Sequence, residues 1–320
     1  MSEKKNIRRE KGNKIYEMQV FEKEFPNGLK KHNPDYPGQK GQINSLGFRS
    51  HEFNSQKEVG LYRIVILGGS TTAGYESDID HTFSAVIERK FNKNSDSEKK
   101  FAVIYARKGE EDMGYVNSVL AKEIVYYEPD MAVLYLTFNH LHMRRACLNV
   151  PNDLYHKVFM IKQWLSDKSL FFLTFREKAT ILFQLEGKVC GDIYIPVNTP
   201  KKLAKSFLNT PRVFNEYKKY LENFVNICKR KNITPALVTE ACVIKGDSYL
   251  LLGKGMDIVY DKMYRIMEQV AKEKGAIFID AAREMKAIPG NEKLFNDGLH
   301  LYPEGNEVLA ELFMTVLKLR

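Results

Sequence analysis

The sequence predicts an α/β fold, a flavodoxin-like three-layer α/β/α sandwich around a five-stranded parallel sheet. Two observations carry this: from Arg63 onward, short apolar runs alternate with amphipathic segments, and five of the runs have strand length. The candidate strands are Arg63 to Leu67 (RIVIL), Phe101 to Tyr105 (FAVIY), Met131 to Phe138 (MAVLYLTF), Pro235 to Thr239 (PALVT) and Ala276 to Asp280 (AIFID). Runs this apolar suit strands covered by helices on both faces. Helical stretches lie at about Thr82 to Phe91, Tyr115 to Tyr127, Val213 to Lys231 and Met256 to Lys274, with Glu304 to Leu317 closing the chain. In Met256 to Lys274 the apolar residues Ile258, Met263, Ile266, Met267 and Val270 fall mostly three, four or seven apart, which predicts one buried face.

Two regions stand outside the repeat. Residues 1–60 form a polar lead with turn signals at Pro26-Asn27-Gly28 and Pro34 to Gly41, ending in an ordered segment, Ile43 to Arg49. The main domain then runs over 61–320, interrupted by residues 143–212, a mostly helical insertion after the third strand that mixes aromatic clusters (Phe159, Trp164, Phe171, Phe172) with charges. Open α/β sheets bind ligands at the carboxyl ends of their strands, so the insertion is a candidate lid; a passive decoration is the equal alternative.

The composition excludes several classes. With 320 residues and 44% hydrophobic content, the chain can bury a large core and is not a disordered protein. Its most apolar stretch, Leu170 to Leu185, is broken by Arg176, Glu177 and Lys178, so no membrane span is expected. The charged N-terminus lacks the apolar region of a secretory signal, which makes a cytoplasmic location the expectation. Cys147, Cys190, Cys228 and Cys242 form no C-x-x-C pair and fit reduced thiols better than disulfides or a zinc site. A net charge of +9 raises the question of nucleic acid. Part of the excess sits in residues 1–40, with ten Lys/Arg against six Asp/Glu, and the rest alternates with acids on helices, so a nucleic-acid partner is disfavoured.

The first chemical signal is Gly68-Gly69-Ser70-Thr71-Thr72-Ala73-Gly74, between the first strand and a helix. Glycines 68 and 69 remove side chains that would crowd a sharp turn, and the helix offers backbone N–H groups to a developing negative charge. The segment is not a G-x-S-x-G elbow, a Walker loop or a dinucleotide G-x-G-x-x-G, because Thr72 replaces the last glycine of the first, no Gly-Lys-Ser/Thr follows, and position 70 is serine. A plain helix cap remains the alternative. The second signal lies in Phe295 to Asn306, read as a loop that follows the last strand, where Asp297 and His300 are three apart with a glycine between them. A nucleophilic serine needs a base, and the imidazole needs a carboxylate to fix its tautomer; one Asp-x-x-His loop supplies both. The alternative is an Asn-Asp-Gly turn beside a surface histidine.

Taken together, the two ends resemble the SGNH (GDSL-type) hydrolases. Ile66-Leu67-Gly68-Gly69-Ser70-Thr71-Thr72 looks like their first block and Asp297-Gly298-Leu299-His300-Leu301 like their last. Gly114 matches the glycine of the second block, with Gly109 a weaker competitor, and Thr137-Phe138-Asn139-His140 matches the third block, Gly-x-Asn-Asp, only at Asn139. Asn44-Ser45-Leu46-Gly47-Phe48-Arg49 resembles the lead-in of bacterial members associated with surface polysaccharides. The resemblance implies a Ser70, Asp297, His300 triad and an oxyanion hole from the N–H groups of Ser70 and Gly114 and the side chain of Asn139.

His140, in place of the family's aspartate, is expected to bond neighbouring loops or touch substrate, and Glu240 is a further candidate for substrate contact or else a helix-terminus or surface acid. His140 and His142 make an H-x-H pair, but a third ligand is not identifiable, so neither a metal nor a cofactor is expected. The expected activity is cleavage of an O-acyl ester, with an O-acetylated carbohydrate preferred. An O-acyltransferase, or a carbohydrate-binding protein of the same fold without catalysis, are the alternatives. The sequence does not specify an oligomeric state.

Overall fold

The computed structural model describes residues 22–24, 30–32, 42–94, 100–106, 113–145, 199–244 and 250–317. A short antiparallel pair, β1 (Glu22–Glu24) and β2 (Lys30–His32), precedes the main sheet. That sheet consists of β3 (Leu61–Gly68), β4 (Lys100–Tyr105), β5 (Met131–Tyr135), β6 (Thr234–Val238) and β7 (Ile277–Ile279), all parallel, in the order β4-β3-β5-β6-β7. Numbered among themselves the strands run 2-1-3-4-5, the flavodoxin-like order. The described helices are α1 (Ser70–Ala73), α2 (Phe83–Asn94), α3 (Met113–Lys122), α4 (Phe138–Arg145), α5 (Pro200–Leu208), α6 (Pro211–Arg230), α7 (Asp257–Lys274), α8 (Ala281–Lys286) and α9 (Pro303–Leu317).

The central strands are apolar because both faces are covered. Ile64 to Leu67 are at most 1% exposed. Ile64, Ile66, Val133 and Val238 share one core cluster with Phe83, Val86, Ile87 and Phe91 of α2 and Leu309 and Phe313 of α9, where Phe83 meets Phe313 edge to face at 5.7 Å. The alternate residues Val65, Leu67, Ala132, Leu134 and Leu237 are buried as well. Right-handed crossovers account for this. The chain steps from β3 to β4 and then back past β3 to β5, so α2 and α3 fall on opposite faces.

The chain divides into two compact units, one comprising residues 1–139, 218–243 and 264–320 and the other residues 140–217 and 244–263. The sheet belongs to the first. In the second, α5 is capped by Thr199, and Leu203, Ala204 and Phe207 are buried. Most of the expected insertion, residues 146–198, lies outside the described residues, as do Cys147, Cys190 and Gly109. The second unit also takes in residues 244–263, which the periodicity did not separate from the main repeat. Among the described residues no helix is long and apolar enough to cross a membrane.

Several expected boundaries shift. The third strand stops at Tyr135 rather than Phe138, because the Thr137 and Phe138 N–H groups turn away from the ladder to bond a side chain and α4 begins. The buried face expected over Met256 to Lys274 runs through Met256, just before α7, and Val259, Met263, Met267 and Val270, whereas Ile258 is 56% exposed and Ile266 is partly buried. The Asp297–His300 loop does not follow the last strand directly, since α8 and a 3₁₀ turn at Asn291–Leu294 intervene.

Candidate active site

The order of strands reverses at β3, which lies between β4 and β5, and in such sheets the crevice opens at the carboxyl ends on either side of that point. Ser70 follows β3 directly and Asn139 follows β5. The turn into Ser70 admits only glycine at position 68, where a Cβ would sit 1.9 Å from Thr72 Oγ1 and 2.5 Å from the Tyr135 carbonyl. A Cβ on Gly69 would lie 2.7 Å from Asn139 Nδ2, so the amide of Asn139 rests against the residue before the serine. Ser70 is not a capping serine. Gly69 holds the N-cap of α1, with no side-chain cap, and Ser70 is the first helical residue.

Arg49 holds the other end of this short helix. Only 5% exposed, its guanidinium donates to the carbonyls of Ala73 at 2.8 Å, Gly74 at 3.2 Å and Ser77 at 2.5 Å. Asn44 shapes the approach to it: its Oδ1 accepts from the N–H groups of Leu46 and Phe48, around Gly47 at φ 80°. The lead-in segment is thus tied to the serine turn. The Tyr105 hydroxyl adds a bond to the Gly69 carbonyl at 3.1 Å.

The second element is the loop from Phe295 to Leu301, closed by a bridge between these two residues and by Asn296 N–H donating to the His300 carbonyl. Within it Asp297 Oδ1 accepts from the N–H groups of Leu299 at 3.0 Å and His300 at 2.8 Å, which forces the chain back on itself. Gly298 takes φ 87°, a left-handed conformation that favours glycine, so the Asp-Gly pair is a geometric requirement of the loop. Asp297 Oδ2 lies 2.7 Å from His300 Nδ1, and His300 Nε2 lies 2.9 Å from Ser70 Oγ, across 230 residues of sequence.

An ionised carboxylate only accepts, so Nδ1 carries the ring proton and Nε2 presents its lone pair to the serine hydroxyl. Burial works to raise the Asp297 carboxyl, but donation from the N–H and ring of His300 and from the Leu299 N–H outweighs it and holds the group below the ordinary carboxylate range. The side chains of His300 and Asp297 are 18% and 24% exposed, so the relay reaches solvent at its edge. Such an arrangement can draw the proton from a hydroxyl as it attacks an electrophile.

The remaining sequence candidates separate. Gly114 is partly exposed in the first turn of α3, where backbone N–H groups have no intrahelical acceptor. Glu240 as a substrate-facing or surface acid needs correction, and of the two roles expected for His140 only bonding within the protein is seen. Glu240 does not face a substrate: it is 1% exposed, its Oε1 accepts from the Thr71 hydroxyl at 2.6 Å, and its Oε2 accepts from the N–H groups of Thr137 at 2.7 Å and Phe138 at 2.5 Å. Burial pushes its carboxyl upward, and these donors, with the field of His300, offset only part of that rise. His140 is fully buried too. Its ring lies against Tyr217 at 5.2 Å and its Nε2 lies 3.4 Å from the Val213 carbonyl, so it bonds within the protein and is not exposed to a ligand.

Sequence reasoning missed Arg49 as a clamp and Thr71 as the partner of Glu240. Neither had a signal in its neighbouring sequence, because the partners lie 24 to 28 residues from Arg49 and 169 residues from Thr71.

No protein-family model matches the chain, and no curated protein is similar to it at a significant level. Solved structures are similar in fold. A GDSL-like lipase from Parabacteroides merdae superposes with a TM-score of 0.52 at 12% identity, covering 81% of this chain and 96% of its own. An acetylxylan esterase from Geobacillus stearothermophilus gives 0.50 at 14% identity, covering 81% and 95%. An α/β hydrolase from the metagenome of Lake Arreo, Spain, gives 0.50 at 13% identity, covering 80% and 95%. The chain shares the fold of these structures, a GDSL-like lipase and an acetylxylan esterase among them.

Proposed function

We propose that the protein is a serine esterase that cleaves an O-acyl ester through an acyl-enzyme. The observation that carries this reading is the unbroken line Ser70 Oγ, His300 Nε2, His300 Nδ1, Asp297 Oδ2, with contacts of 2.9 and 2.7 Å. His300 takes the Ser70 proton as Oγ adds to the ester carbonyl; the tetrahedral oxygen gains the negative charge. Collapse expels the alcohol, which leaves with the proton from His300, and the acyl group stays on Oγ. Water, deprotonated by the same imidazole, then releases the carboxylic acid and restores Ser70. The oxyanion is received by the N–H groups of Ser70 and Gly114 and by Asn139 Nδ2, whose position against Gly69 supports that role.

The preferred substrate is an O-acetylated carbohydrate. Two things support it: the resemblance of Asn44 to Arg49 to the lead-in of polysaccharide-associated proteins, and the fold shared with an acetylxylan esterase, of which a catalytic mutant changes a serine to alanine. The test is hydrolysis of a panel of p-nitrophenyl esters and acetylated xylo-oligosaccharides by the wild type and Ser70→Ala. Release that depends on Ser70 and favours short acyl chains is expected; equal release by the two proteins would sink the reading.

A further inference from the structure

We propose that Glu240 is a positioning residue for this ester chemistry, fixing the spacing between the nucleophile and the amide donor Asn139. The inference rests on the roles proposed above for Ser70 and Asn139.

Three successive strand ends meet on this one side chain. Glu240 itself follows β6; its Oε1 takes the hydroxyl of Thr71, the residue after Ser70, and its Oε2 takes the N–H groups of Thr137 and Phe138, the two residues before Asn139. Its own backbone is anchored in turn: the Tyr264 hydroxyl donates to its carbonyl, and the N–H of Ala241 donates to the Tyr135 hydroxyl at 3.0 Å, on the last residue of β5. Hydrogen bonds to a carboxylate are shorter and stronger than those between neutral groups, and at 1% exposure no solvent competes for them. The contact with Phe138 sets where α4 starts, and Asn139 is carried on its first turn. A shift of the Phe138 N–H therefore moves the Asn139 amide relative to Gly69 and Ser70. Without Glu240, two buried backbone N–H groups lose a carboxylate acceptor, which loosens the loop that they hold.

The chemistry of the three partners makes the idea testable. Glutamine in place of Glu240 preserves the tie: its amide oxygen accepts from both backbone N–H groups, and the Thr71 hydroxyl rotates to accept from its NH₂. Alanine preserves none of it.

The experiment measures kcat and KM on p-nitrophenyl acetate for wild type, Glu240→Ala, Glu240→Gln, Thr71→Val, Asn139→Ala and the Glu240→Ala/Asn139→Ala pair, with Ser70→Ala as control. Glu240→Ala is expected to lower kcat by about 10- to 100-fold with KM within about threefold, because a displaced oxyanion donor acts on the transition state rather than on ground-state binding. Glu240→Gln restores kcat to within about fivefold of wild type, and Glu240→Ala adds less than about threefold once Asn139 is already alanine, since residues that act through one another are not additive. Should Glu240→Ala fail to fold, Thr71→Val removes the Oε1 contact alone and is expected to lower kcat about three- to tenfold at unchanged KM. A folded Glu240→Ala with wild-type kcat, full additivity with Asn139→Ala, or no effect of Thr71→Val on kcat would each overturn the proposal. Wild-type turnover by Ser70→Ala would overturn the esterase reading itself, and the control separates that failure from one confined to Glu240.

Discussion

The loop that carries Asp297 and the strand end that carries Glu240 each set one carboxylate against two backbone N–H groups, yet they put it to opposite uses. Asp297 gives one oxygen to its own loop and the other to an imidazole, and remains partly open to water. Glu240 has both oxygens committed to the protein and is sealed from solvent. The two groups shift accordingly, Asp297 below the ordinary carboxylate range and Glu240 above it. The number of donors is similar, so access to solvent decides which carboxylate is held low and which is raised.

Substitutions break the comparison at different points. Ser70→Ala should lower kcat by about 10⁴ or more, since it removes the proposed nucleophile to which the Asp297–His300 pair is joined. Asp297→Asn should cost about 10³- to 10⁴-fold in kcat, because an amide can donate to Nδ1 and favour the wrong imidazole tautomer. Asn139→Ala should cost about 10²- to 10³-fold, less than either, because two backbone donors remain. Steady-state kinetics on one ester check all three, and a larger loss for Asn139→Ala than for Ser70→Ala would contradict the assigned roles. Glu240→Ala should differ in kind as well as size: chemical denaturation is expected to show a loss of about 2–4 kcal/mol, the usual penalty for stranding buried polar partners.

The pH dependence sharpens the contrast further. Activity should fall on acidification, because a base that accepts the serine proton must be unprotonated; Asp297, held low, keeps its charge further into acid than an ordinary carboxylate. A rate profile flat from about pH 5 to 9 would contradict a base of this kind. For stability the two carboxylates carry opposite signs. Asp297, depressed in the folded state, contributes stability that is fully present above its unfolded pKa and is lost as pH falls through its lowered value. Glu240, raised in the folded state, withdraws stability as pH climbs from its unfolded value toward its raised one. The advantage of wild type over Asp297→Asn in melting temperature should therefore shrink on acidification, whereas Glu240→Gln should gain on wild type as pH rises from acid to neutral.

Much of this was legible in the sequence, for physical reasons that differ by element. The five strands could be read because a doubly covered parallel sheet demands continuous apolar runs, and RIVIL, FAVIY and PALVT supply them. The serine and histidine loops could be read because their geometry is local: Gly68 has no room for a side chain, and Gly298 must adopt a positive φ for Asp297 to reach the backbone two and three residues ahead. Glu240 and Arg49 could not. The partners of Glu240 are 102 to 169 residues away and those of Arg49 include carbonyls 24 to 28 residues on, so nothing in the neighbouring sequence marks them as buried. His140 was misleading for the same reason. Its place in the family's third block left substrate contact open, but α4 starts at Phe138 and carries it into a buried contact with Tyr217.

The central claim is that Ser70 is a nucleophile made reactive by His300. Labelling the intact protein with a fluorophosphonate and locating the adduct by mass spectrometry tests it most directly. A single adduct on Ser70, formed at least about 100-fold more slowly in His300→Ala, is the predicted result; no adduct, or one at the same rate without the imidazole, would contradict it.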